Sequence, residues 1–166
     1  QRDFTWTMSQ SEELFDSIFR GIFIGALIFS KPKFSLACKK VDLRLRGSKK
    51  HRPKPEEYAI EKFDTDNIYT ILDGQQRVTS LYRAITGIDP LYIKLKSIEG
   101  LKKILENSEN EEDLEIEEYI DGISSKYDSD YYCISISEIV KLKTQGDDKL
   151  FEKIHQPILD ETALIA

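Results

Sequence analysis

Cysteine is scarce in this chain: Cys38 and Cys133 are the only two among 166 residues. Two thiols cannot staple a domain of this size, and neither has the C-x-x-C spacing of a zinc or redox site. A disulfide scaffold is therefore excluded, and a reducing cytosol fits. Long apolar runs are also missing. The longest, GIFIGALIF at residues 21–29, has strand length and falls short of the roughly 18 residues a membrane helix needs. No initiator Met and no basic leader opens the chain, which starts at Gln1 inside what reads as a motif, so an excised domain is expected. Neither GxxxxGK(S/T) nor GxGxxG occurs, which removes the standard phosphate-binding signatures. Histidine is limited to His51, in a basic stretch and read as surface, and His155, before Pro157. Neither belongs to a paired His/Asn cluster, and no PD-(D/E)xK pattern occurs, so a nuclease centre is not assigned to this chain.

What is present suits one globular domain, or one domain and part of another: 40% hydrophobic and 33% charged residues, with a net charge of −6. The charge is unevenly spread. KKVDLRLRGSKKHRPK, residues 39–54, carries eight Lys/Arg against one Asp, and ENSENEEDLEIEEYID, residues 106–121, carries nine acids and no base. A basic stretch can meet phosphates, or it can be one of two solvated segments of opposite sign.

Periodicity organises the rest. SQSEELFDSIFRG predicts a helix, with Ser9 and Glu12 spaced as a capping box, Gly21 at the C′ position, and Leu14, Phe15, Ile18 and Phe19 on its buried face. IFIGALIFS is apolar on both faces and predicts a central, fully covered strand. Residues 31–66, with Pro32, Pro53 and Pro55, read as an insertion or long loop, and the basic part, without a buried periodic face, as mobile. NIYTILD predicts a strand. In the following GQQRVTSLYRAIT, Val78, Leu81, Tyr82 and Ile85 share one helical stripe closed by Gly87. LYIKLK and YYCISIS read as further strands, residues 98–125 as an acidic helix, and the chain from Glu138 as mostly helical.

The junction ILDGQQR raises the functional question, because an acid, a glycine, two glutamines and an arginine stand where a strand hands over to a helix. The first N–H groups of a helix lack intrahelical partners and make an anion site with the positive dipole end. Gly74 permits close backbone approach, and Arg77 can fork onto phosphate oxygens. Gln75 and Gln76 suit ribose, base or a positioned water, and Asp73 can hold magnesium beside phosphates. The same residues also fit a plain capped turn: Asp73 as helix cap, Gly74 as turn, the other three facing solvent.

QRDFTW, LFDSIFRGIFIGALIF and ILDGQQRVTSLYRAITG, in that order, resemble the N-terminal domain of GmrSD-type restriction endonucleases, within the broader ParB/sulfiredoxin-like group. The resemblance is carried by Gln1, Arg2, Phe4 and Trp6; by Ser17, Ile18 and Gly21; by Ile24 and Gly25; and by Asp73 through Arg77, Thr79 and Leu81. It is firm over residues 1–100 and loose beyond. Phe23 departs from the proline or tyrosine usual at its position. The resemblance implies an α+β fold with a small mixed sheet, packed helices and a helical C-terminal part. A DGQQR core at 1–100 would carry the basic insertion 31–66, with residues 101–166 continuing the same domain. It also implies nucleoside triphosphate binding and hydrolysis in bacterial defence against foreign DNA, with cleavage left to a separate HNH-type nuclease. In that reading Arg2, Gly74 and Arg77 bind the nucleotide, Asp73 holds Mg2+, and Gln75 or Gln76 orients the attacking water. The alternatives are a DNA-contacting module using Lys39, Lys40, Arg44, Arg46, Lys49, Lys50 and Arg52, or a structural domain whose junction only starts a helix. A cytoplasmic location and no membrane contact are expected.

Overall fold

In the computed structural model, residues 3–97, 100 and 119–145 are described. Arg2, the acidic run up to residue 118 and the segment from residue 146 lie outside them, as do most of the helices expected there. The fold class is α+β, as the sequence predicts. Helix α1 (Met8–Phe19) is followed by β1 (Ile28–Ser30), β2 (Leu36–Cys38), β3 (Glu56–Tyr58), α2 (Ile60–Thr65), β4 (Thr70–Asp73) and α3 (Gln75–Ile85). Next come β5 (Tyr92–Leu95), β6 (Ile120–Ser124), β7 (Cys133–Ser135) and α4 (Ile136–Gln145). The strands form three small sheets, β1–β4, β2–β3 and β6–β5–β7, and every pairing among the described residues is antiparallel. Residues 120–124, expected in a helix, are the edge strand β6. A register shift that opposes Leu95 to Ile120 and Lys94 to Gly122 lets Ile120 and Ile123, three residues apart, both pack on the core.

The core lies between α1, α3, α4 and the three-stranded sheet: Phe15, Ala84, Leu91, Ile93, Ile120 and Ile136 are buried together, with Phe19, Leu81 and Ile139 packed against them. Helix α1 starts one residue pair earlier than its sequence suggests. Thr7 is the N-cap, its hydroxyl accepting from Gln10 N while the Gln10 side chain returns to Thr7 N. Glu12 is thereby released from capping and accepts from Ser125 N at 2.6 Å, tying α1 to the turn after β6. The C-terminal expectation holds. Gly21, at φ 63°, donates to Ile18 O and Ile22 donates to Ser17 O, the paired bonds of a Schellman ending. Leu14 and Phe15 are buried as expected, whereas Ile18 is exposed.

IFIGALIFS is not a covered central strand: only Ile28–Ser30 pairs, with β4 alone, and Phe23, Ile28 and Phe29 are exposed. Gly25, at φ 88°, interrupts the extended run, so pairing begins only three residues later. The basic stretch is not an unanchored loop either. The β2–β3 pair closes its base and Arg83 reaches into it from α3, while Asp3 and Asp89, remote in sequence, pair with Lys39, Arg52 and Arg46.

Candidate functional site

The DGQQR junction is a strand-to-helix turn, as its flanks predict: β4 ends at Asp73, Gly74 is the helix N-cap and α3 begins at Gln75. Asp73 does not cap the helix. Gly74 takes that position at φ 83°, a left-handed conformation open to glycine, and the cap has no side-chain hydrogen bond. Asp73 is largely exposed and accepts from Arg77 Nη2 at 3.2 Å.

Arg77 is largely buried and works in two directions. Its Nη1 donates to Ile24 O at 2.7 Å, pinning the chain before β1, while Nη2 reaches Asp73. The guanidinium crowds Gly25, and Leu27 crowds Gly74. A Cβ on Gly25 would lie 2.5 Å from Arg77 Nη1, and one on Gly74 would lie 2.4 Å from Leu27 Cδ2 and 3.3 Å from Arg77 Nη2. Gln76 faces the other way. Its Oε1 accepts from Thr5 N at 2.9 Å and Trp6 N at 3.3 Å, and its Nε2 donates to Asp3 O at 2.7 Å. The carboxamide thus brackets the N-terminal segment, linking the first and last of the three motifs in space. Arg2 itself lies outside the described residues.

Two clefts flank the junction. The larger, about 300 Å³, is lined by Trp6, Gln10, Glu13, Leu14, Ser17, Ile24 and Arg77. The smaller, about 30 Å³, is lined by Asp3, Phe4, Lys39, Gln75 and Thr79 among others. Arg77 and Gln75 therefore line different clefts although two residues apart, as the 100° step of a helix requires. The larger has the volume of a small-molecule site, and the smaller is nearer the size of a water site. For magnesium the donor set is lean: no group of three His, Cys, Asp or Glu side chains converges among the described residues. A single carboxylate such as Asp73 fits a magnesium ion that arrives coordinated by phosphates, which needs only one or two protein carboxylates.

Arg83, which no motif in the sequence marks, is 1% exposed. Its Nε and Nη2 fork onto Asp89 at 2.8 Å each, and its Nη1 donates to the carbonyls of Asp42 and Arg44 at 2.7 Å each. Arg46 approaches the same carboxylate, Nη2 at 2.8 Å and Nε at 3.1 Å from Oδ2, and both guanidinium groups stand about 5 Å from the Phe4 ring centre. Burial pushes the Asp89 carboxyl up, yet the hydrogen bonds from Arg83 and Arg46 outweigh it and hold the group below the ordinary carboxylate range. A signal was available: Gln76, Thr79, Ser80 and Arg83 share a stripe with the same spacing as Val78, Leu81, Tyr82 and Ile85. The polar stripe is the buried one from Thr79 onward, whereas Tyr82 and Ile85 are exposed.

Of the seven residues that the alternative DNA-contacting reading uses, five are paired internally. Lys39 and Arg52 bind Asp3, whose carboxyl they hold below its usual range; Lys40 binds Glu56, Arg44 binds Asp42, and Arg46 binds Asp89. Lys49 and Lys50 remain exposed and without an ion pair among the described residues, as does Lys54. No described helix is long and apolar enough to cross a membrane.

Searches of curated proteins and of solved structures return no match. The family model for the GmrSD restriction endonuclease N-terminal domain matches residues 1–161.

Proposed function

Since the chain belongs to the GmrSD restriction endonuclease N-terminal domain family and is thus part of a restriction system, we propose that it binds a nucleoside triphosphate and hydrolyses it slowly. The binding site in this reading is the larger cleft beside DGQQR. The observation that carries it is the meeting of Arg77, at the first turn of α3, with Trp6, the only aromatic among the described residues lining that 300 Å³ space. A guanidinium beside a helix N-terminus suits phosphate oxygens, and an indole offers a stacking face for a base.

In this reading Arg77 retains its bond to Ile24 O while its outer edge meets the phosphates. The Asp73 pair, being exposed, exchanges at little cost. Magnesium, when bound, supplies the charge neutralisation that phosphoryl transfer to water needs, and Asp73 would hold it. Gln76 spends its carboxamide on the backbone of residues 3–6. Its part is therefore to fix Trp6 rather than to orient water. DNA cleavage falls to a partner HNH-type nuclease domain or subunit, and the setting is the cytoplasm.

The test is calorimetric titration of ATP, GTP, CTP and UTP, with and without magnesium, repeated on Trp6→Ala. Saturable heat from at least one nucleotide, weakened by Trp6→Ala, is expected. If none of the four produces heat or quenches the tryptophan, the reading fails. The exposed cations Lys49, Lys50 and Lys54 favour a second reading, a weak DNA-contacting surface on the same domain.

A further inference from the structure

We infer that Arg46, one of the cations in the alternative DNA-contacting reading, is a positioning residue for the nucleotide cleft and acts through Trp6. The inference rests on the nucleotide reading above. Trp6 is held at both of its backbone polar groups by side chains distant in sequence. Gln76 Oε1 accepts from its N–H at 3.3 Å, and Arg46 Nη1 donates to its carbonyl. The other edge of the Arg46 guanidinium is fixed by Asp89, which is 3% exposed and itself fixed by the Arg83 fork. A chain of charge-assisted bonds thus runs from the buried Arg83–Asp89 pair through Arg46 to the backbone of Trp6 in the cleft wall.

A lysine cannot replace this arginine. Its single ammonium group can meet Asp89 or the Trp6 carbonyl, but it lacks the planar fork that addresses both from fixed directions. Arg46 and Arg83 share the single negative charge of Asp89, which holds the Arg46 fork in place while the cluster keeps one net positive charge.

Trp6 is the only tryptophan in the chain, so its fluorescence reports this residue alone. The experiment compares wild type, Arg46→Ala and Arg46→Lys, each checked for folded circular dichroism. Acrylamide quenching of Trp6 is measured without nucleotide, followed by calorimetric titration with whichever of the four triphosphates binds wild type most tightly. Both variants are expected to expose Trp6 to quencher and to bind nucleotide about tenfold more weakly, because a misplaced wall removes pre-organisation. Arg46→Lys keeps a cation beside Asp89, so it keeps the experiment informative if Arg46→Ala does not fold. Unchanged quenching in a folded variant overturns the Arg46–Trp6 link. Altered quenching with unchanged nucleotide affinity overturns the positioning role. If wild type binds no triphosphate, the nucleotide reading falls, and the quenching arm still decides whether Arg46 sets Trp6.

Discussion

Replacing Arg83 with methionine isolates the contribution of the buried arginine. The side chain donates to both Asp89 oxygens and to the carbonyls of Asp42 and Arg44, so its loss uncouples the basic stretch from α3 and leaves a carboxylate in the interior. Breaking one partner out of a buried pair typically costs roughly 3–5 kcal/mol. Arg46 stays on Asp89 and compensates in part, which brings the expected loss to about 3 kcal/mol. Against a total stability of about 5–15 kcal/mol this is a large fraction, and in a chain of this length it lowers the melting temperature by about 6–12 °C.

Urea titration of wild type, Arg83→Met, Asp89→Asn and the double variant measures it, and the double variant should lose much less than the sum of the singles. The pH dependence sharpens the test. The folded Asp89 carboxyl titrates below its unfolded value of about 3.9, so its stabilisation is fully present above that pH. It is lost as the pH falls through the lower folded value. The gap between wild type and Arg83→Met should therefore narrow as the pH is taken below about 4. A variant within about 0.5 kcal/mol of wild type at neutral pH would show that Arg83 behaves like an exposed arginine and would refute the argument.

Gly25→Ala should cost about 1–2 kcal/mol from its left-handed backbone alone, and more through displacement of Arg77 from Ile24 O, read as a fall in melting temperature. Asp73→Ala should leave stability within about 0.5 kcal/mol, because the residue caps nothing and its ion pair is exposed. In a phosphate-release assay the same variant should lose turnover. Replacing Lys49 and Lys50 with Ala should flatten the salt dependence of any DNA binding by up to about two log-log units. An unchanged slope in a filter-binding titration marks these two lysines as ordinary solvated surface.

The sequence by itself determined the elements with one dominant period and a clear end. Gly21 closes α1 because only its left-handed conformation lets the Schellman bonds form, and ILDGQQR is a strand-to-helix turn because alternation changes to helical spacing across it. The short motifs QRDFTW and DGQQR were legible as a pair, and Gln76 shows why they belong together, since its side chain binds the backbone of the first. Local rules could not decide which of two equally spaced stripes on α3 is buried. That choice depends on partners at a distance: Asp89 and the loop carbonyls make burial of Arg83 favourable, and Ser11 of α1 meets Ser80 at 2.6 Å. Charge behaved in the same way. Eight cations in sixteen residues read as one basic surface, because sequence proximity says nothing of the acids that fold against them. Asp3 and Asp89, 36 and 43 residues from their partners Lys39 and Arg46, convert much of that charge into internal bonds. The location of the cleft was likewise a tertiary outcome, since Trp6, Glu13 and Arg77 meet only once α1 and α3 pack.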